Sequence, residues 1–376
     1  MRNLVVFGMC VLSAFACKST DSIESQLMDA EVWTEQPSPQ GVFDSNAWNT
    51  FLALSEESYE YQPACKPASF RHQGELKGVV VLLHGFTACP QQFFALSEKL
   101  SREGWDVLLP TLPGHGVRRN AEEAKYLPQV ADYRQRYGGF VKRLNELMRS
   151  YEAPQRAIGG VSLGGALATG ALAEELDLYD RALIMTPYYR LNPKFADLMG
   201  ALKNLTDFAR MIDPENWGER AQTELRRELG WGEACENEAL RGRQGICKFT
   251  YSNLIASQQF GYDLSKSQFV KGRLQFVGVD ADPAIDNGRL KWFYENRVKK
   301  KESTSRLCFY PEGTNHSIAS VYDAPDEPKF WLPRFEQDAL TFLTKGEFFK
   351  TTGETILSYP ECSTETPHDN ETGGGP

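Results

Sequence analysis

Along the middle of the chain, short uninterrupted apolar runs alternate with stretches whose apolar residues recur at helical spacing. The runs are "GVVVLLH" (Gly78–His84), "WDVLLP" (Trp105–Pro110), "RAIGGV" (Arg156–Val161), "RALIMT" (Arg181–Thr186), "RLQFVGV" (Arg273–Val279) and "RLCFYP" (Arg306–Pro311). A run without polar alternation reads as a strand buried on both faces. Between the runs, "QQFFALSEKLSREG" carries Phe94, Leu96 and Leu100 on one helical face and stops at Gly104. "FVKRLNELMRSY" (Phe140–Tyr151) is an amphipathic helix, "LGGALATGALAEEL" a helix of small residues, and a last helix runs near Phe330–Leu343. Strands separated by helices predict an α/β chain, with a mostly parallel sheet covered on both faces. Right-handed crossovers bring the C-terminal ends of such strands to one rim, where ligands bind.

One interval breaks the alternation. From Thr186 to Arg273 the chain is far longer than a single crossover needs. It contains Phe195, Leu198, Met199, Leu202, Leu205, Phe208 and Met211 at helical spacing, which predicts an amphipathic helix inserted over the rim as a cap. Such a cap has apolar surface for an acyl chain, and Tyr188 and Tyr189 at its entrance are candidate substrate contacts. The chain divides accordingly into a core over 46–186, a cap insertion over 187–268, a second core segment over 269–348 and a tail over 349–376, disordered at its end.

The N-terminus carries a different pattern. "MRNLVVFGMCVLSAFAC" has one Arg, an apolar run and then Ala14-Phe15-Ala16 before Cys17, which reads as a signal peptide over residues 1–16. The run falls short of the about 20 apolar residues that span a bilayer. Cys17 resembles the lipid-modified cysteine of a bacterial lipoprotein, while Ala-Phe-Ala equally suits ordinary cleavage. Both readings export the protein to the cell envelope: membrane-anchored by lipid if Cys17 is modified, otherwise periplasmic or secreted. Residues 17–45 read as a polar tether. Of eight cysteines, removing Cys10 and Cys17 leaves six: Cys65, Cys89, Cys235, Cys247, Cys308 and Cys362. An even number in an oxidising compartment predicts disulfides, with Cys235–Cys247 favoured because it closes a short loop. None stands at metal-ligand spacing with histidine, so no metal site is expected. The 376 residues allow a sizeable core, and a net charge of −9 argues against a nucleic-acid partner.

The chemistry gathers at "GGVSLGG" (Gly159–Gly165), where Gly160-Val161-Ser162-Leu163-Gly164 follows a strand and opens a helix. That context is a nucleophile elbow: a strained turn holds the serine at a helix N-terminus, and glycines let strand and helix pass closely. A serine hydroxyl needs a base to take its proton. Of five histidines, His368 lies in the tail, His72 precedes the first strand, and His84 and His115 precede Ser162. His316, in "EGTNHSI" after the last run, alone follows the nucleophile and an acid in chain order. The acid comes from "GVDADPAIDNG", with Asp282 favoured, Asp280 the runner-up and Asp286 read as a helix cap or surface carboxylate. An oxyanion hole needs backbone N–H donors: Leu163 after the nucleophile, and Phe86 in the loop "HGFTACPQQF".

"VVLLHGFTACPQQFFALSEKLSREGWDVLLPTLPGHG" together with "GGVSLGG" resembles the α/β-hydrolase superfamily. Within it the chain is similar to the bacterial carboxylesterase and monoacylglycerol-lipase-like group over roughly residues 75–345. The resemblance implies an α/β-hydrolase fold with an inserted helical cap, a triad of Ser162, Asp282 and His316, an oxyanion hole at Phe86 and Leu163, a structural His115, and no cofactor. The acid loop carries one residue more than that group's pattern, which leaves Asp280 beside Asp282. The cap matches nothing in the group, so substrate class does not carry over. The expected activity is hydrolysis of a small-molecule or lipid ester, a short acyl ester or monoacylglycerol. A peptidase or thioesterase on the same scaffold, and a non-catalytic surface lipoprotein, are the alternatives.

Overall fold

Each of the six apolar runs is a strand in the computed structural model, which describes residues 45–55, 60–118, 123–193, 228–230, 235, 243–322, 329–349 and 362–364. Numbered in chain order, the strands are β1 (Ala68–Phe70), β2 (Gly78–Leu83), β3 (Trp105–Leu109), β4 (Arg156–Val161), β5 (Arg181–Met185), β6 (Glu228–Gly230), β7 (Lys248–Thr250), β8 (Val270–Val279) and β9 (Val298–Tyr310). The helices are α1 (Ser45–Ser55), α2 (Phe94–Arg102), α3 (Tyr133–Ser150), α4 (Leu163–Glu174), α5 (Tyr251–Ser267), α6 (Asn287–Arg297) and α7 (Leu332–Lys345). Seven strands form one sheet in the order β1-β3-β2-β4-β5-β8-β9, parallel throughout except for β1, which runs antiparallel to β3 at one edge. β6 and β7 make a separate antiparallel pair.

The burial of β2 shows why its sequence is apolar without alternation. Val79, Val81 and Leu83 enter one core with α3 and α4, while Val80 and Leu82 enter a second core with α2 and α7. Successive side chains of a strand point to opposite faces, and here both faces are covered. The small residues of α4 serve the same packing. The helix lies against β4, α3 and α5, and a Cβ at Gly170 would come within 3.0 Å of Leu264 of α5.

The elements differ from the sequence expectation where the pattern is weak. α3 starts at Tyr133, not Phe140, because Tyr133 and Tyr137 continue its buried stripe through a polar stretch. α6 is additional, with Asp286 accepting from the Arg289 N–H as its N-cap. β9 starts at Val298, in a lysine-rich segment whose edge position leaves it exposed. α1 begins at Ser45 and lays Phe51 against Phe140 of α3. Within the interval expected as a cap, α5 packs on α3 and α4 and leads directly into β8. The expected cap helix over Phe195–Met211, the signal segment, Cys17 and the tether up to residue 44 lie outside the described residues.

The six cysteines form three disulfides: Cys65–Cys89, Cys235–Cys247 and Cys308–Cys362. The last brings the tail back to the sheet, where Ser363 and Phe309 exchange both backbone hydrogen bonds, at 2.7 and 2.8 Å.

Candidate active site

The parallel strands deliver β2, β4, β5, β8 and β9 to a common rim, and the residues singled out by sequence follow them there. After Val161 the backbone turns at Ser162, with φ +55° and ψ −117°, and α4 begins at Leu163. A non-glycine residue in that region stores strain and needs its surroundings to hold it. Ser162 donates its N–H to Met185 O at 3.0 Å, and its carbonyl accepts from Ala166 and Tyr188. The flanking glycines are required by contact. A Cβ on Gly160 would sit 2.3 Å from Gly164 O, and one on Gly164 would sit 2.0 Å from Leu83 O. Ser162 thus stands at the N-terminus of α4, where the helix dipole favours negative charge.

His316 meets a carboxylate. Its Nδ1 lies 2.8 Å from Asp282 Oδ2, with the Asp282 side chain fully buried and that of His316 17% exposed. The other oxygen, Asp282 Oδ1, accepts from the N–H groups of Ala284 (2.8 Å) and Ile285 (3.2 Å). A carboxylate held by three donors presents a fixed acceptor, so the neutral imidazole carries its proton on Nδ1 and its basic nitrogen is Nε2. The backbone turns at Ala281, between Asp280 and Asp282, with φ +53°. Asp280 continues the sheet through its N–H to Tyr310 O, and its carboxylate accepts from Ala281 N. Asp286 caps α6 and pairs with Arg190 at 3.3 Å. Geometry therefore gives His316 the partner Asp282 and not Asp280. Ser162 and His316 are tied to the same end of β5: Met185 O holds Ser162, and Thr186 Oγ1 donates to His316 O at 3.1 Å.

The loop after β2 packs on the elbow, and a Cβ at Gly85 would lie 3.4 Å from Ser162 Cβ. Gly85 donates to Gln92 Oε1 at 2.9 Å and accepts from Ala88 N, so Phe86 is held within a tight turn. His84 and His115 buttress this turn. His84 Nε2 accepts from Leu112 N (3.1 Å), which leaves Nδ1–H to donate to Gly85 O (2.9 Å). The two rings meet edge to face at 5.3 Å, and His115 also lies against Phe86. Burial drives His84 well below the ordinary histidine value, and the neighbouring His115 adds to it. Burial lowers His115 to about 4.

The two tyrosines separate. Tyr188 joins Leu191, Ile255 and Ile285 in a small apolar cluster beside the acid loop, and its buried hydroxyl has no hydrogen-bond partner among the described residues. Tyr189 turns instead into the main core. It packs on Phe293 at 4.6 Å and its hydroxyl bonds Thr169 Oγ1 at 2.7 Å, so it is a packing residue and not a substrate contact. Sequence reasoning missed Gln92 and Thr186, which no motif marks.

A family model described as serine aminopeptidase, S33, matches residues 74–319. The chain is 32% identical over 89 residues to a thermostable monoacylglycerol lipase of Bacillus sp. (strain H-257), covering 23% of this chain and 32% of that one. It thus spans about a third of the length of that relative. Among solved structures, the fold is similar to a monoglyceride lipase from Saccharomyces cerevisiae, with TM-score 0.54, 17% identity, and 74% and 91% of the two chains covered. It is also similar to a monoacylglycerol lipase from Paleococcus ferrophilus, with TM-score 0.51, 16% identity, and 75% and 98% covered.

The buried histidines make stability fall in acid. In the folded chain His115 stays neutral down to about 4, whereas unfolded it titrates near 6.5. Between those values the unfolded chain binds the extra proton, so the stability His115 contributes is full above neutrality and is lost as pH drops. Urea denaturation is expected to lose about 2 kcal/mol from His115 alone between about pH 8 and pH 5. His115→Asn, which cannot titrate, is expected to flatten that slope; an unchanged slope would contradict a neutral buried ring.

Proposed function

The chain belongs to the serine aminopeptidase S33 family of α/β hydrolases, and from that premise we propose that it is an exported serine hydrolase of carboxylic esters. The observation that carries the reading is the buried Asp282 bonded to His316 on the rim where Ser162 occupies its strained turn. Ser162 Oγ attacks the acyl carbon while His316 Nε2 takes its proton. The imidazolium is stabilised by ionised Asp282, which stays unprotonated. The carbonyl oxygen gains negative charge and is met by the N–H groups of Phe86 and Leu163 at the positive end of α4. Collapse expels the alcohol, which takes the proton from His316 and leaves the acyl group on Ser162. Water then attacks, giving up its proton to His316; collapse breaks the acyl–Oγ bond, Ser162 Oγ takes that proton back, and the acid is released.

The substrate we favour is a short acyl ester or a monoacylglycerol. One observation supports it: the named relatives are monoacylglycerol lipases. The family's own description keeps one second reading, cleavage of a peptide amide by the same groups. Export, by a signal peptide over residues 1–16 and a lipid on Cys17, agrees with three disulfides, which persist in oxidising compartments.

Ser162→Ala is expected to abolish fluorophosphonate labelling and turnover of p-nitrophenyl esters. Asp282→Asn is expected to lower kcat by about 10⁴-fold, as for a misoriented base, while Asp280→Asn stays within a few-fold. Folded wild type that neither labels nor turns over esters would leave the surface-lipoprotein alternative. An ester panel from acetate to palmitate, run beside p-nitroanilides, reads acyl preference; faster anilide than ester cleavage would favour the peptidase. For export, cell fractionation is expected to find the protein with membranes and the Cys17→Ser variant released; equal partitioning of the two would remove the lipid anchor.

A further inference from the structure

Thr87 follows Phe86 directly, and its backbone lies in the left-handed region at φ +65°. A β-branched residue does not rest there unaided. A closed ring of contacts holds it. The Thr87 carbonyl accepts from Ile246 N at 2.9 Å and from Arg243 Nη2 at 3.5 Å. The adjoining Gly245 is gripped by the buried side chain of Gln62. Gln62 Nε2 donates to Gly245 O (2.8 Å) and to Val117 O (2.7 Å), and Oε1 accepts from Gly245 N (3.1 Å). Beyond Gln62 the chain reaches Cys65, whose disulfide partner Cys89 lies just past Thr87. The disulfide Cys235–Cys247 closes the segment carrying Arg243 to Ile246. The two strands of this ring are in contact, since a Cβ on Gly245 would stand 2.3 Å from Thr87 O.

We infer that Gln62 is a positioning residue for the oxyanion hole. Through Gly245 and Ile246 it holds Thr87 in its strained conformation, and so aims the preceding Phe86 N–H at the oxygen that gains charge above Ser162. The inference rests on the role proposed for Phe86. A primary amide suits the task because it can donate to and accept from the two peptide groups of one residue and still offer a second N–H, here taken by Val117 O. The brace acts on a donor whose interaction strengthens as negative charge develops, so its loss falls on the chemical step more than on substrate binding.

The test is steady-state kinetics of the full, oxidised chain on p-nitrophenyl butyrate. Gln62→Ala is expected to lower kcat by about tenfold or more while KM stays within about twofold. Glycine adopts positive φ without a brace, so Gln62→Ala combined with Thr87→Gly is expected to recover about threefold or more of the lost kcat. A residue that only stabilises the fold would show no such recovery. Gln62→Met keeps the side chain's bulk but loses its hydrogen bonds to Gly245 and Val117. It is expected to give the same kcat-specific loss, and it decides the matter if Gln62→Ala does not fold. Wild-type kcat in folded Gln62→Ala, or a loss confined to KM or melting temperature with no recovery from Thr87→Gly, overturns the inference. Inert, unlabelled wild type overturns the ester-hydrolase reading itself, and is seen before any variant is made.

Discussion

Ser162 sits where a strand runs straight into a helix with no connecting residue to spare, and the rest of the rim is arranged around that turn. The approach is so close that backbone, not side chain, fills the space on both sides: Gly160 against Gly164, and Gly164 against the end of β2. Three other non-glycine residues with positive φ among the described residues, Thr87, Thr186 and Ala281, also lie just past parallel strands, those of β2, β5 and β8. Each such residue costs about 1–3 kcal/mol, a sizeable share of the about 5–15 kcal/mol by which a domain is stable. Strain confined to one rim is tolerable because both faces of the sheet are packed by large buried side chains, Phe140 and Phe276 on one and Trp105 and Phe335 on the other.

Much of this was legible from sequence, for a physical reason. A strand covered on both faces is apolar at most positions, with no polar alternation, so β2, β3, β4 and β5 announce themselves as runs. The elbow is legible because its glycines are required by backbone contact, and no other residue type meets that requirement. His316 was found by chain order and by elimination. What was not legible has equally definite causes. β1 is three residues long at a half-buried edge, too short to show a period. β9 opens with lysines because its outer edge faces water, so its first half reads as loop. Gln62 and Thr186 act through backbone partners far along the chain, and Gln92 through Gly85 across a turn, and a single polar residue carries no local trace of such a partner.

The choice among three aspartates shows where sequence stops. Asp280, Asp282 and Asp286 lie within one loop and are chemically identical there. They diverge only through the backbone: Asp280 is still on the strand register, Ala281 reverses the chain at φ +53°, and Asp282 is thereby buried against His316. Asp286 is drawn off by the N-terminus of α6.

The tyrosine pair makes the converse point. Tyr188 and Tyr189 are adjacent and identical in type, yet one borders the site and the other fills the core. Their backbone leaves β5 under two constraints, the Tyr188 N–H bonded to Ser162 O and the close approach of Gly261 of α5, whose Cβ would fall 1.8 Å from Tyr188 O. With the peptide clamped between elbow and helix, the two side chains must diverge. Tyr189 finds Thr169 and Phe293, while Tyr188 keeps a buried hydroxyl with no partner among the described residues, beside an apolar cluster. An unmatched buried hydroxyl costs about 1–3 kcal/mol, which a core residue has every means to avoid and Tyr189 does avoid. Backbone strain is carried at the rim itself, at Thr87, Ser162, Thr186 and Ala281, and marks it as shaped for something other than stability.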